Sequence, residues 1–398
     1  MQRAGLLKAS AVMLGFMALV FAGTGDDPSE HAAGAFALVA GGTLAAAAYA
    51  PNTYSVHTGT YERRTWKDWN EHLFEASFRF DRADMPRLIR AMEVPPQIHT
   101  RSRRVFTDDE ALTVLLLRFN GLNLHQIHQQ TGIRPSAASE LLGWMYDFVW
   151  DRWYVSLLAS DLTRWTPHFP DWAAAIFDKT KGLGFANVVG FIDGTLRGIA
   201  KPAESQDIYF NGHHWKHGIL WQAWMSPIGL VIDLAGPMTG RRHDTHILKK
   251  SRLCSRFSAA LLGAGYALGT FVLYADAGYW NTPVLQATFM RVGGAMSAAK
   301  RRLNRVMSRV RITVEWGFGR VLGLWSFFRF EKGQQLGRMP VGKMYVVAVI
   351  LTNAHCCLYG NATTLYFDLE PPSLEDYFGQ APPQPAGRAQ AWDDNVSG

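Results

Sequence analysis

The chain has 398 residues, 48% hydrophobic and 13% aromatic, with 40 Lys and Arg against 33 Asp and Glu for a formal net charge of +7. That length implies two or three folding units, and that hydrophobic content excludes global disorder. The positive balance points weakly to an anionic partner, and three cysteines without CxxC spacing (Cys254, Cys356, Cys357) argue against a disulfide framework or a zinc site and fit a reducing compartment.

In chain order, Arg3 and Lys8 precede a mostly apolar run from Ala9 to Ala22, the pattern of a secretory signal. A second apolar stretch, Ala32 to Ala50, is too rich in Gly and Ala for a good membrane span. Residues 1–60 read as a leader, signal-like in pattern but spurious beside the rest of the chain. Residues 61–165 read as a helical domain. One helix is expected from Asn70 to Met92, followed by a basic spur at Arg101, Arg103 and Arg104. Thr107 and Glu110 have capping-box spacing, Leu112, Leu115, Leu116 and Phe119 make the apolar stripe, and Gly121 stops the helix. A short helix from Leu124, a Gly132 turn and a helix opened by Pro135 then outline a helix-turn-helix. Its second helix would face a groove with Arg134, Ser136, Ser139 and Glu140, which is not a strongly basic face. Three helices simply packed beside the next domain fit this segment equally well. His125 and His128 lack partner ligands and read as surface histidines.

Residues 180–358 alternate strands and helices. Val188–Thr195, His217–Met225 and Leu230–Leu234 read as successive strands, the last two joined by the hairpin loop Ser226-Pro227-Ile228-Gly229. A helix from Asp244 to Leu262, a strand at Phe271–Ala275 and a helix from Asn304 to Trp325 follow. This is the order of a ribonuclease H-like α/β domain, a mixed five-stranded sheet with flanking helices. Three acids stand where such a domain carries its site: Asp193 on the first strand, Asp276 after the fourth and Glu315 on the late helix. From Arg291 to Phe330 there are nine Lys and Arg and one acid, Glu315. Val341 to Leu358 is an apolar helix, and residues 359–398 read as a tail, disordered from Gln380.

From Phe106 to Cys357 the chain resembles the PIF/Harbinger-type transposases, DDE endonucleases of DNA transposons. The matching segments run in order. They are Phe191-Ile192-Asp193-Gly194-Thr195; Tyr209 to His213 with Lys216, His217 and Gln222; Gly236-Pro237 with Gly240 to Asp244; Tyr274-Ala275-Asp276-Ala277-Gly278-Tyr279; and Met307 to Arg311 with Glu315 to Gly319. The closing helix departs from the family's Leu-His-Asn with Leu351-Thr352-Asn353.

Three carboxylates are hard oxygen donors suited to Mg²⁺, with Mn²⁺ possible, and a pair of such ions can drive an in-line displacement at phosphorus. Asp193 could bridge two ions, Asp276 and Glu315 each completing one, with Arg309 or Arg311 offsetting the mutual repulsion of the acids. The resemblance implies cutting of transposon ends and joining to target DNA, in the nucleus, by a dimer, with a Myb-like DNA-binding partner and no membrane partner. Lys216, His217, Arg241, Arg242, Lys300, Arg301, Arg302, Arg305, Arg309 and Arg311 are the candidate DNA contacts, although a solvated helix face would look the same over 300–311. Trp215, Trp221 and Trp224 are candidates to stack on unpaired bases, but strand alternation puts Trp221 and Trp224 on opposite faces, so at least one belongs to the core. Asp233 reads as structural and Asp244 as a helix-start acid. Two other functions compete: a domesticated copy that binds DNA or a partner without cutting, and a secreted metal-dependent phosphohydrolase if the leader is real.

Overall fold

Val188 to Ile192 is apolar at every position, so neither face of that strand can meet water, and the fold covers both. The computed structural model describes residues 62–159, 162–291 and 295–379. The leader and the tail from Gln380 therefore lie outside the described residues.

The first part of the chain contains α1 (Glu71–Phe78), α2 (Met85–Ala91), a small hairpin of β1 (Gln97–His99) and β2 (Val105–Thr107), α3 (Asp108–Phe119), α4 (Leu124–Thr131), α5 (Pro135–Val149), α6 (Val155–Leu158) and α7 (Phe169–Lys179). The second part contains β3 (Val188–Gly198), α8 (Gln206–Tyr209), β4 (Phe210–Asn211), β5 (Lys216–Met225), β6 (Val231–Thr239), α9 (Asp244–Ser251), α10 (Leu253–Gly263), β7 (Val272–Ala275), β8 (Leu285–Ala287), α11 (Ala298–Leu324), α12 (Val341–Tyr359), α13 (Ala362–Phe367) and α14 (Leu374–Gly379).

β3 pairs antiparallel with β5 and parallel with β7; β5 pairs antiparallel with β6, and β7 pairs parallel with β8. The two-residue β4 adds to the start of β5. This mixed sheet is compatible with a ribonuclease H-like nuclease fold. One face is covered by α7 and α10, where Phe169, Trp172 and Phe257 surround Trp224. The other is covered by α11, α12 and α13: Gly317 meets Met225, Tyr345 meets Trp221 and Phe367 stacks on Phe191.

The expected starts of α3, α4 and α5 are present. Thr107 and Glu110 form a capping box, Asn123 and Gln126 form another, and Pro135 opens α5. Four expectations are corrected. The single helix over Asn70–Met92 is two, because Arg79 adopts a left-handed conformation (φ 66°) while its guanidinium reaches Leu324 O and Asn120 Oδ1. The basic spur is the turn of the β1–β2 hairpin, which sits against α5: Ser102 N donates to the Glu140 carboxylate at 2.7 Å, and Arg104 lies 3.5 Å from it. Glu140 is thus engaged within the fold, while Arg134, Ser136 and Ser139 stay on the surface. The helix expected from Asp244 to Leu262 breaks at Arg252 (φ 53°) into α9 and α10. Finally, residues 362–379, read from the sequence as tail, form α13 and α14, with Leu374, Tyr377 and Phe378 buried.

One hydrophobic cluster runs through Leu115, Trp153, Trp224, Val314 and Tyr345, so the helices of the first part and the sheet share a core. α12 is long and apolar enough to cross a membrane, but 78% of its apolar window is buried in this fold. Asn353 ties it to the sheet: its amide exchanges hydrogen bonds with the backbone of Val231 at 3.0 and 2.8 Å and donates to Tyr377 Oη at 2.9 Å. The three cysteines are free; burial pushes the Cys356 thiol up to about 12 and raises that of Cys357.

Candidate active site

The strand register pairs the strand that carries Asp193 with the strand that Asp276 follows. In the parallel pair Phe191 lies opposite Tyr274. Asp193 follows Phe191 by two residues on β3, and Asp276 is the residue after β7. Alternation along β3 puts Asp193 on the face of Phe191. That is the face crossed by α11, whose Met307, Val310, Val314 and Gly317 pack inward. Gly317 lets the helix approach: a Cβ there would run into the end of the Met225 side chain.

Asp193 accepts from Gly194 N at 3.0 Å through Oδ1 and from Arg311 Nη1 at 2.9 Å through Oδ2. About one fifth of each side chain is exposed, so this ion pair is only partly screened by water. Of the two arginines expected to offset the acids, Arg311 does so, and Arg309 points to solvent. Asp276 accepts from Gly278 N at 2.8 Å, a turn closed by its own side chain. The turn is anchored one residue further on, where Gln222 Nε2 donates to Tyr279 Oη at 2.8 Å. Gln222 lies opposite Gly194, next to the first acid. The Gln222–Tyr279 bond therefore ties the turn after Asp276 to β5, the strand paired with β3, through buried side chains. Glu315 is exposed on α11, one turn beyond Arg311.

Among the described residues no three His, Cys, Asp or Glu side chains stand close enough to hold one ion. Asp193 lies on β3, Asp276 is the residue after β7 and Glu315 stands exposed on α11, while Arg311 donates to Oδ2 of Asp193. The donor set itself, three carboxylates, suits a hard divalent cation.

The candidate DNA contacts fall into two surfaces. On the first half of α11, Lys300, Arg301, Arg302, Arg305 and Arg309 are all exposed. Their span of nine residues measures about 14 Å along the helix. Arg311 differs, being turned inward to Asp193. The second surface surrounds the end of β6. Asn211 Nδ2 donates to Gly240 O at 2.7 Å, binding the β4–β5 turn to the segment that carries Arg241 and Arg242. Gly240 is required there, since a Cβ would lie 2.5 Å from the carbonyl oxygens of Gly218 and Tyr209. Lys216 is paired with Glu331 at 2.7 Å, and His217 packs edge-on against Phe210. Arg241 and Arg242 are exposed and line a cleft of ≈ 670 Å³ with His243, His246, Lys249 and Trp280. Partial desolvation, then the fields of Arg242, Lys250 and Lys249, lower the pKa of His246.

Of the three tryptophans considered for stacking, only Trp215 is exposed, at 82%; Trp221 and Trp224 are both in the core. Alternation placed them correctly on opposite faces, but both faces are covered. Trp280 was missed. It follows Asp276 by four residues, and only the fold shows that Tyr279 is buried while Trp280 is 46% exposed.

The mixed sheet carries Asp193 on β3, with Asp276 just after the neighbouring β7 and Glu315 on α11. Residues 192–353, which include all three acids, match the family model described as DDE superfamily endonuclease, and the match supports that superfamily. That family generally uses divalent metals. No curated protein and no solved structure matches the chain.

Proposed function

We propose that this chain is a metal-dependent DNA endonuclease of the PIF/Harbinger transposase type, cutting and joining transposon ends at Asp193, Asp276 and Glu315. The observation that supports the reading is the parallel pairing of β3, which carries Asp193, with β7, which Asp276 follows, inside the matched segment. The three carboxylates would hold Mg²⁺ or Mn²⁺, which when bound supplies Lewis-acid stabilisation of an in-line phosphoryl transfer. The chain's own residues do the rest. The α11 cations hold the DNA backbone, Gln222 and Tyr279 keep the Asp276 loop against the first strand, and Arg311 neutralises Asp193 until substrate phosphate competes for its guanidinium. Nuclear localisation, a homodimer pairing two ends and a Myb-like partner belong to the same reading.

The test is divalent-metal-dependent nicking of duplex DNA by the full chain beside Asp193→Asn, Asp276→Asn and Glu315→Gln. Loss of about 100-fold or more in each variant, with DNA affinity retained, is the expected result. Full activity in any one of them would remove that residue from the site. The Arg311–Asp193 pair also favours a second reading, a domesticated factor that binds DNA without cutting. That reading predicts a parent protein that binds DNA, never nicks it with any metal, and is indifferent to all three substitutions.

A further inference from the structure

Tyr279 and Trp280 are adjacent and face opposite ways: Tyr279 is 5% exposed and fixed by Gln222, Trp280 is 46% exposed and lines the basic cleft. Since Trp280 follows Asp276 by four residues, its backbone lies within about 14 Å of the second acid. The cleft walls carry Arg241, Arg242, His243, His246 and Lys249 beside this indole. Its described lining residues include no acid; Arg241 lies 3.9 Å from Asp207 in a pair that is mostly solvent-exposed. A surface ion pair of that kind is weak and easily exchanged. Cations grouped around one accessible aromatic face are the means by which proteins hold an unpaired nucleotide, phosphate on the charges and base on the ring.

We propose that this cleft is a subsite for one unpaired nucleotide of the DNA strand next to the cut, its base stacked on Trp280 and its phosphate held by Arg241 and Arg242. The inference rests on the endonuclease reading and adds a ligand class to it: a single-stranded or extruded nucleotide rather than continuous duplex. Duplex phosphates could satisfy the arginines alone, but they leave the indole without a partner. The rigid anchoring of Tyr279 keeps the neighbouring indole aimed outward, so the ring is presented without reorganisation.

The probe is a duplex with a short single-stranded overhang carrying 2-aminopurine, titrated in EDTA with the full chain so that cleavage plays no part. Stacking quenches the 2-aminopurine emission. The expected result is quenching by the parent and by Trp280→Phe, and its loss in Trp280→Ala. Affinity for the overhang substrate should fall roughly 5- to 150-fold in Trp280→Ala, with little change for blunt duplex. Arg241→Ala and Arg242→Ala should each lower the salt dependence of binding by about one phosphate contact. Equal quenching in Trp280→Ala, or an equal loss of affinity for blunt duplex and overhang, would overturn the subsite and leave the endonuclease reading standing. Failure of the folded parent to bind either DNA would overturn both.

Discussion

At Asp193 the chain supplies its own counter-charge. Arg311 Nη1 sits 2.9 Å from the carboxylate, in a pair about one fifth exposed on each side. A guanidinium in that place satisfies the acid and also competes with any metal ion for it. Arg311→Gln removes the cation while keeping an amide that can still donate. It should destabilise the fold by roughly 1–2 kcal/mol in urea denaturation, between the values for exposed and buried pairs. The same variant should bind Mn²⁺ more tightly than the parent when DNA is absent, as read by paramagnetic broadening or calorimetry. An unchanged Mn²⁺ affinity would show that the pair does not compete with metal. This side-chain direction was not legible in the sequence: Arg309 and Arg311 were equal candidates, and only the rotation of α11 against the sheet separates them.

At the scale of elements, the crossing of α11 over the sheet sets the distance from Glu315 to the aspartates. The contact is made at Gly317, where a side chain would meet the sulfur and methyl of Met225. Gly317→Leu should therefore overpack the crossing and cost about 1–3 kcal/mol. It should also reduce nicking more than it reduces DNA binding, because the exposed cations of α11 precede the crossing. Equal losses of the two would place the effect in global folding instead. The elements themselves were largely readable. The capping box at Thr107, the cap at Pro135 and the apolar runs of β3, β5 and β7 are local signals that the structure keeps. The first helix break was marked in the sequence by Pro86, which sits at the start of α2, whereas the break at Arg252 carries no Gly or Pro. At Arg79 the break is stabilised by distant partners, Leu324 and Asn120. The short β8 was missed because three residues offer too little periodicity to see.

For the whole molecule, the shared core makes stability a property of the assembled helices and sheet, and His355 on α12 reports on it. Burial first, then the charge of Arg320, lowers this imidazole from 6.5 to about 4. The folded state thus holds it neutral while the unfolded chain binds a proton near pH 6.5. Its contribution to stability is complete above that pH and is lost as pH falls toward 4, by roughly 3 kcal/mol in all. Melting temperature measured from pH 7 to 4 should fall accordingly, and His355→Asn should flatten that part of the curve. A parallel fall in the variant would assign the acid sensitivity to other groups. By itself the sequence determined the succession of the longer strands and helices and the basic run on α11, because apolar runs, caps and charge spacing are local and act through short-range sterics and burial. The tertiary structure alone decided which arginine meets Asp193, that both Trp221 and Trp224 are interior, that Gln222 holds the Asp276 loop, and that Trp280 opens onto a basic cleft. Each of those facts depends on which face of one element another element covers, and that is set by packing across the whole chain.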